Sequence, residues 1–244
     1  MDLKIILLVV IVILILYFLW NLLFTSVKML MSFQKGLAIN KMDASKVSKN
    51  ATSNYSFSVW TYIDDWAVNN GEFKNILAIT KNNVGDNPYL FYLALDRTMN
   101  NLLVYAQPFT QGTPGPFYPP TCTISNFPIQ AWVNISISVY NRAIDVYLDG
   151  KLVKTCSLTN AATPITPDAQ IVIGGNQVQT GTDPVGFSGY IASVLYNPNI
   201  ITPQEAWNIY ARGYSGSLFG NFFNRYQLQF AFLKDNEVMK SFNI

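Results

Sequence analysis

The sequence predicts an all-β sandwich or barrel with one short C-terminal helix, preceded by a single transmembrane helix. Three observations support this prediction. An unbroken apolar run stands near the N-terminus, short runs of alternating polar and apolar residues recur between residues 55 and 197, and one capped helix follows them. A length of 244 residues accommodates one such domain with an appendage.

The N-terminal run has the length and composition of a membrane span. No charged residue occurs from Ile5 to Val27. The 20 residues Ile5–Phe24 cover roughly 30 Å as a helix, the thickness of the hydrocarbon core of a bilayer. A signal peptide has a shorter apolar run that ends at a small-residue cleavage site. Residues 1–27 are therefore predicted to be an uncleaved anchor, with the lipid bilayer as a partner.

The charges that flank this run predict its orientation. Only Lys4 precedes it, and the lysines that follow it are Lys28, Lys35, Lys41, Lys46 and Lys49. Cytoplasmic flanks of membrane helices are enriched in Lys and Arg, so the C-terminal domain of this single-pass protein is expected on the cytosolic side. Glycosylation sequons at Asn50, Asn54 and Asn134 favour the opposite topology, because they are used only in a secretory lumen.

The body of the chain begins after a predicted stem. Residues 28–54 mix lysines with isolated apolar residues, which indicates a helical continuation that fades into a linker. The period becomes two at Tyr55, and the domain is predicted over residues 55–213. Its clearest part is a three-stranded meander over residues 132–153, where Asp149-Gly150 supplies the positive φ values of a type I′ turn.

One helix follows the β pattern, and a tail follows the helix. Thr202 is the expected N-cap and Pro203 the first helical residue. Glu205, three residues after the cap, completes a capping box, and Gly213 ends the helix. Residues 214–244 form a C-terminal extension with two short apolar runs. That extension is predicted to be either an added β-hairpin or a docking segment.

The order of these motifs resembles a known family. A strand carries Trp132, a hairpin reads Val146 to Val153, a Gly-Phe-Ser-Gly-Tyr-Ile strand follows at 186–191, and a capped helix comes next. This order, over about residues 55–213, is similar to the laminin-G-like branch of the concanavalin A-like jelly rolls. The resemblance implies a two-sheet antiparallel jelly-roll sandwich whose curved inner sheet often holds a ligand.

A second resemblance concerns the combination of features. A membrane anchor, an Asn-rich body and cysteines that flank the meander look like proteins of large DNA viruses whose particles contain an internal membrane. This resemblance implies a non-enzymatic minor virion protein that links an internal membrane to a capsid shell, in the virion or a host internal membrane. The alternative function is that of a membrane-anchored, lectin-like surface protein that binds carbohydrate.

Composition excludes several kinds of chemistry. The chain has no histidine, which removes every Ser-His-Asp, Cys-His and His-metal arrangement. A glucanase of this fold class needs two neighbouring carboxylates on one strand, and none of the three glutamates stands in such a pair. A net charge of +2 gives no basic stripe for nucleic acid. We therefore expect neither enzymatic activity nor nucleic-acid binding.

Candidate binding residues remain in the loops. Loop aspartates could hold calcium, although such residues more often form turns: Asp64, Asp65, Asp86 and Asp183. No other cofactor is expected. Aromatic and amide side chains that could contact a glycan are Trp66, Asn82, Asn83, Tyr118 and Asn176. The proline-rich loop at 107–120 could contact a protein partner through Phe109, Phe117 and Tyr118.

The two cysteines, Cys122 and Cys156, stand on either side of the meander. A disulfide between them is favoured over two buried free thiols, because they are the only cysteines and both sit at strand ends. The bridge requires the chain before Trp132 to lie beside the strand after Gly150. A disulfide conflicts with a cytosolic domain, a conflict that the thiol oxidation machinery of some large DNA viruses would resolve.

Overall fold

The computed structural model describes residues 10–16, 27–46, 53–81, 89–109, 120–178, 183–214, 229–234 and 237–243. Two six-stranded antiparallel sheets form a sandwich, which confirms the all-β prediction. The first sheet has the order β1 (Lys28–Lys35), β12 (Ser188–Asn197), β3 (Tyr55–Asp65), β8 (Trp132–Tyr140), β9 (Ala143–Leu148) and β10 (Lys151–Ser157). The second has the order β2 (Asn40–Asp43), β11 (Gln170–Ile173), β4 (Lys74–Thr80), β5 (Tyr89–Leu95), β6 (Asn101–Ala106) and β7 (Cys122–Ser125).

The core lies between the two sheets because each strand turns alternate side chains inward. In β3, Phe57, Val59 and Ile63 are 1% exposed and belong to the core. The ring of Phe57 stacks on that of Phe91 from β5, with centroids 5.4 Å apart, and so joins the sheets. Each such side chain contributes roughly 1.5–3 kcal/mol through burial.

The predicted meander and helix are both present. Strands β8, β9 and β10 pair consecutively, and φ values of 48° at Asp149 and 74° at Gly150 match the type I′ turn. Helix α2 (Pro203–Arg212) has the capping box that the sequence predicts, in which the Glu205 N–H donates to the Thr202 hydroxyl. It packs on the outer face of the first sheet, where Ala206 and Ile201 contact Tyr147.

The prediction that residues 28–54 form a helical stem and linker is wrong for residues 28–46. Residues Lys28–Lys35 form β1, and Asn40–Asp43 form β2, followed by a 3-10 helix at Ala44–Lys46. β1 is an edge strand of the first sheet, and Met31 is its one buried residue. A strand that buries so little has no clear alternation, which explains why its sequence suggests a linker.

Two further segments, one near each end of the chain, precede and follow the strands of the sandwich in sequence. Residues 10–16 form helix α1, and the remainder of the predicted span Ile5–Phe24 lies outside the described residues. Within the described ranges, no helix is long and apolar enough to span a membrane. Near the C-terminus, β13 (Gln229–Lys234) pairs antiparallel with β14 (Glu237–Asn243), so the hairpin alternative for the tail is present.

Cys122 and Cys156 form a disulfide, with Cα atoms 5.8 Å apart. As the sequence prediction requires, β7, which precedes Trp132, lies beside β10, and the Lys154 ammonium donates to the Thr123 carbonyl at 2.9 Å. The two strands do not pair through their backbones, because β7 belongs to the second sheet and pairs with β6. The bridge therefore joins edge strand β7 of one sheet to edge strand β10 of the other and closes one side of the sandwich.

Candidate functional site

Eight aromatic side chains lie together on the outer face of the first sheet and on α2. We call this set the aromatic surface, and its members are Phe33, Trp60, Tyr62, Trp132, Tyr190, Trp207, Tyr210 and Tyr214. Strand periodicity explains the contribution of β3. Because Val59 and Ile63 point into the core, Trp60 and Tyr62 point outward, and Asp64 follows on the same face.

The rings form one continuous series of contacts. Trp132 lies at the centre, with ring centroids 4.6 Å from Tyr214, in a nearly parallel stack, and 5.7 Å from Tyr62. Phe33 and Tyr190 extend the series toward β1, with centroids 5.5 Å apart. Such ring pairs contribute roughly 0.5–1.5 kcal/mol beyond the area that they bury. The aromatic surface is therefore held in a defined arrangement before any ligand arrives.

Exposure divides the aromatic surface into a covered part and an open part. Trp60 is 6% exposed, because Tyr210 of α2 stacks on it at 5.7 Å. Four other rings are open to solvent: Phe33 is 54% exposed, Trp207 and Tyr214 are each 44% exposed, and Tyr190 is 38% exposed. A contiguous exposed apolar patch on a folded domain marks an interaction site. Phe33 and Tyr190 lie next to each other on the β1 side of this surface, and we call this exposed pair the open edge.

Polar groups flank this open edge. Asp64 is exposed at the end of β3, next to Tyr62 along the same outer face. The Gln130 side chain reaches the same strand end, where its Nε2 donates to the Asp64 carbonyl at 3.5 Å. Lys35 is the register partner of Tyr190 and is exposed. The aromatic surface thus has a carboxylate, an amide and an ammonium group around it.

The polar groups beneath α2 are already satisfied. Asn134 Nδ2 donates to the Ser58 hydroxyl at 3.0 Å, and the Ser136 hydroxyl donates to Asn134 Oδ1 at 3.0 Å. The Ile201 N–H donates to the Ser138 hydroxyl at 3.0 Å, which ties the start of α2 to this network. These side chains are buried and are bonded to one another or to the start of α2, so the network lies beneath the helix and not on the open surface.

A small cleft lies beside α2. Its volume is about 130 Å³, and its lining includes Leu195, Ile209 and Arg212. Ligand pockets usually have volumes of about 300–1,000 Å³. This cleft is too small to enclose a sugar, which leaves the open aromatic surface as the better candidate.

The described aspartates that were predicted for calcium do not form a metal site. Asp65 accepts a hydrogen bond from the Ala67 N–H at 2.8 Å and forms a turn, and Asp183 is paired with Lys41. Asp86 lies outside the described residues. In the described part of the chain, no group of three or more Asp, Glu, Cys or His side chains is placed to hold a metal ion.

Of the residues predicted for glycan contact, the structure describes Trp66 and Asn176. Trp66 is half-buried against the core, and the Lys74 ammonium lies 5.2 Å from the centre of its ring. Burial lowers the pKa of Lys74, and nearby Asp96 partly opposes this effect. Asn176 is half-buried and pairs through its backbone with Pro184 and Gly186. Neither side chain belongs to the aromatic surface. Asn82, Asn83 and Tyr118 lie outside the described residues.

The predicted partner residue Phe109 is 56% exposed, and Phe117 and Tyr118 lie outside the described residues. None of the residues of the aromatic surface was predicted from the sequence as a binding residue. The signal was present in β3, where Trp60, Tyr62 and Asp64 occupy one face by period two. Phe33 was missed because its strand resembles a linker.

The chain matches a known protein family. Residues 40–206 match Laminin_G_3, a family of the concanavalin A-like lectin/glucanases superfamily. The chain belongs to this superfamily. The match covers the sandwich from β2 into α2, which confirms the predicted resemblance. A comparison with curated proteins finds no match.

Several solved structures are similar to this chain. The ligand-binding domain of botulinum neurotoxin serotype D, in complex with N-acetylneuraminic acid, has a TM-score of 0.54 and 12% identity, over 77% of this chain and 46% of that one. A Trypanosoma rangeli sialidase has a TM-score of 0.47 and 14% identity, over 64% of this chain and 22% of the sialidase. Domain 4 of AbnA, a Geobacillus stearothermophilus arabinanase, in complex with arabinotriose, has a TM-score of 0.44 and 18% identity, over 72% and 69% of the two chains.

At 12% identity, the likeness to the toxin domain shows the fold alone. The chain spans under a quarter of the sialidase and under half of the toxin domain. Function therefore has to be argued from the residues of this concanavalin A-like domain itself.

Proposed function

We propose that this protein binds carbohydrate without transforming it, and that the open edge of the aromatic surface is the binding site. The observation that supports this proposal is the juxtaposition of two exposed rings, Phe33 and Tyr190, with the exposed Asp64 carboxylate. A sugar ring has an apolar face of C–H groups and a rim of hydroxyls. The rings suit the face, and Asp64, Gln130 and Lys35 suit the rim.

The energetics favour such a use of these rings. Stacking a sugar on Phe33 buries apolar surface, worth roughly 25 cal/mol per Å² of area removed from water. The contact costs little ordering entropy, because Tyr190 and Trp132 already pack against Phe33. Hydrogen bonds to a charged carboxylate such as Asp64 add roughly 1.5–3 kcal/mol each when they are formed. Weak binding of a single sugar unit is the expected outcome.

The comparisons support the lectin-like alternative better than the capsid-linking function. The similar toxin domain was solved with N-acetylneuraminic acid, and it shares the fold of this chain. The predicted virion role, the viral origin and the capsid partner have no support in these comparisons. We therefore retain them only as predictions.

We also propose that the chain has no hydrolase activity. A retaining glycosidase needs a second carboxylate about 5 Å from the first. Glu205 is engaged in the helix cap, where one carboxylate oxygen accepts from the Thr202 N–H and hydroxyl, both at 2.8 Å. Glu72 is exposed in the loop before β4. Neither residue belongs to the aromatic surface.

We propose that residues 5–27 anchor the protein in a membrane. The uncharged run supports this role, and its described part, residues 10–16, is helical. A disulfide persists in oxidising compartments, so the Cys122–Cys156 bridge supports a luminal or exterior domain, as a surface lectin requires. The flanking lysines still favour the cytosolic side. A protease-protection assay in microsomes distinguishes the two topologies.

Carbohydrate binding can be tested on the full chain in detergent with a glycan array, followed by calorimetry on the best ligand. Phe33→Ala is expected to weaken binding by about tenfold, equivalent to about 1.4 kcal/mol. Phe109→Ala is the matched control, because Phe109 is 56% exposed and Phe33 is 54% exposed, but Phe109 is absent from the aromatic surface. Equal affinities of the two variants, or an array with no ligand, would overturn the proposal.

A further inference from the structure

The sandwich begins where the apolar run ends. Val27 is the last residue of the uncharged run, and Lys28 is the first residue of β1. The stem that the sequence suggests between membrane and domain is therefore replaced by a strand of the first sheet. If residues 5–27 cross a bilayer, the end of the sandwich at Lys28 lies directly at its surface.

Register identifies the other residues at this end of the first sheet. Lys28 pairs with Tyr196 near the end of β12, and the adjacent Asn197 pairs with Ser56 at the start of β3. The Ser56 hydroxyl donates to the Asn199 carbonyl at 2.7 Å, which holds the loop that leads to Ile200. Lys28, Asn199 and Ile200 thus belong to one end of the molecule.

Loop hydrogen bonds extend this end across to the second sheet. The Asn141 N–H in the β8–β9 turn donates to Asn54 Oδ1 at 3.1 Å, and the Ala162 N–H donates to the Asn141 carbonyl at 2.8 Å. The Phe109 N–H in turn donates to the Ala161 carbonyl at 2.7 Å. We call this end of the sandwich, which carries Lys28, Met29, Phe109, Arg142 and Ile200, the proximal end.

The proximal end exposes large apolar side chains next to cations. Met29 is 54% exposed, Phe109 is 56% exposed and Ile200 is 43% exposed. Lys28 and Arg142 are exposed beside them. Apolar side chains together with Lys and Arg are the composition of surfaces that rest in the headgroup region of a bilayer.

We propose that the proximal end is a membrane-contact surface, which rests on the bilayer that residues 5–27 anchor. This inference rests on the proposed anchor, and it is independent of the carbohydrate site. The apolar run continues directly into β1, so the surface that faces the proximal end is expected to be the bilayer. Phe33 lies five residues beyond Lys28 along β1, so the open edge of the aromatic surface is held about 17 Å farther from the bilayer.

The test places a fluorophore at one end or the other of the sandwich. The full chain is used, in vesicles of phosphatidylcholine and phosphatidylserine. One added cysteine, Ile200→Cys or Leu152→Cys, carries an NBD label, and some lipids carry a nitroxide on the headgroup. Leu152 is 50% exposed and follows the β9–β10 turn at the opposite end. Quenching at position 200 is expected to exceed that at position 152 by at least threefold. Equal quenching at the two positions would overturn the proposal.

A side-chain variant tests the contact itself. Phe109→Ser in the Ile200→Cys protein is expected to lower quenching by about half, whereas Phe33→Ser, the control at the opposite end, leaves it unchanged. Flotation of the full chain with the vesicles tests the membrane anchor independently of the contact surface. A chain that floats but shows no quenching at position 200 contradicts the contact surface alone. A chain that does not float contradicts the anchor as well, and it leaves carbohydrate binding to its own assay.

Discussion

Removal of the disulfide is predicted to destabilise the sandwich by an amount that the structure allows us to estimate. The bridge joins residues 34 apart in sequence. The loop-entropy relation gives about 3.8 kcal/mol at 25 °C for a closed loop of that length. It links two edge strands, β7 and β10, that share no backbone pairing with each other. We therefore expect Cys122→Ala/Cys156→Ala to lose about 3–4 kcal/mol of unfolding free energy.

The assay is urea denaturation of the full chain in detergent, followed by tryptophan fluorescence. With a slope of about 2 kcal/mol per M, the midpoint is expected to fall by about 2 M. Cys122→Ala alone should lose nearly as much as the double variant, because either substitution breaks the same bond. Reduction of the wild-type protein is the control and should reproduce the shift. A loss below about 1 kcal/mol would refute the reasoning that this bridge holds the two sheets together.

Two further predictions concern Lys74 and Gly150. Burial lowers the pKa of Lys74, so between that lowered pKa and the ordinary value the unfolded chain binds more protons, and stability rises with pH. Lys74→Met is expected to add about 1 kcal/mol at pH 7 and to abolish this rise, which urea titrations from pH 7 to 10 would measure. Gly150 has φ +74°, and an added Cβ would lie 2.9 Å from Trp207 Cα, so Gly150→Ala should cost about 2 kcal/mol. Thermal unfolding checks this value, and an unchanged Tm would contradict the packing of α2 on the β9–β10 turn.

Much of the fold could be predicted because its signals are local. The β8–β9–β10 meander has strict alternation and an Asp-Gly turn, and α2 has a complete capping box. Each of these patterns depends on residues within a few positions of one another. The core positions of β3 follow from the same period of two.

Strands β1 and β2 could not be predicted, since their pairing partners are far away in sequence. Lys28 pairs with Tyr196, and Asn40 pairs with Ile173. Both strands lie at sheet edges and leave most side chains exposed. Their sequences therefore show neither a strong alternation of polar and apolar residues nor a turn motif from which a strand could be predicted.

The candidate site was missed for a related reason. The aromatic residues that the sequence suggested, such as Trp66 and Tyr118, were expected in loops, because loops commonly carry binding residues. The aromatic surface instead combines the outer faces of β1, β3, β8 and β12 with α2. The part of the outer face of β3 that stays open depends on where α2 docks. That docking covers Trp60 but leaves Tyr62 half-exposed, and it is set by tertiary structure.

The two proposals together constrain where a ligand can be. Phe33 and Phe109 are almost equally exposed, yet they lie at opposite ends of the sandwich. If the end with Phe109 rests on the bilayer, the open edge at Phe33 faces away from it, about 17 Å along β1 from Lys28. A sugar on a short headgroup in the same bilayer cannot reach that edge. The ligand must then be soluble or be carried by an opposing surface, so glycans on separate vesicles should compete for binding and glycolipids in the anchoring membrane should not.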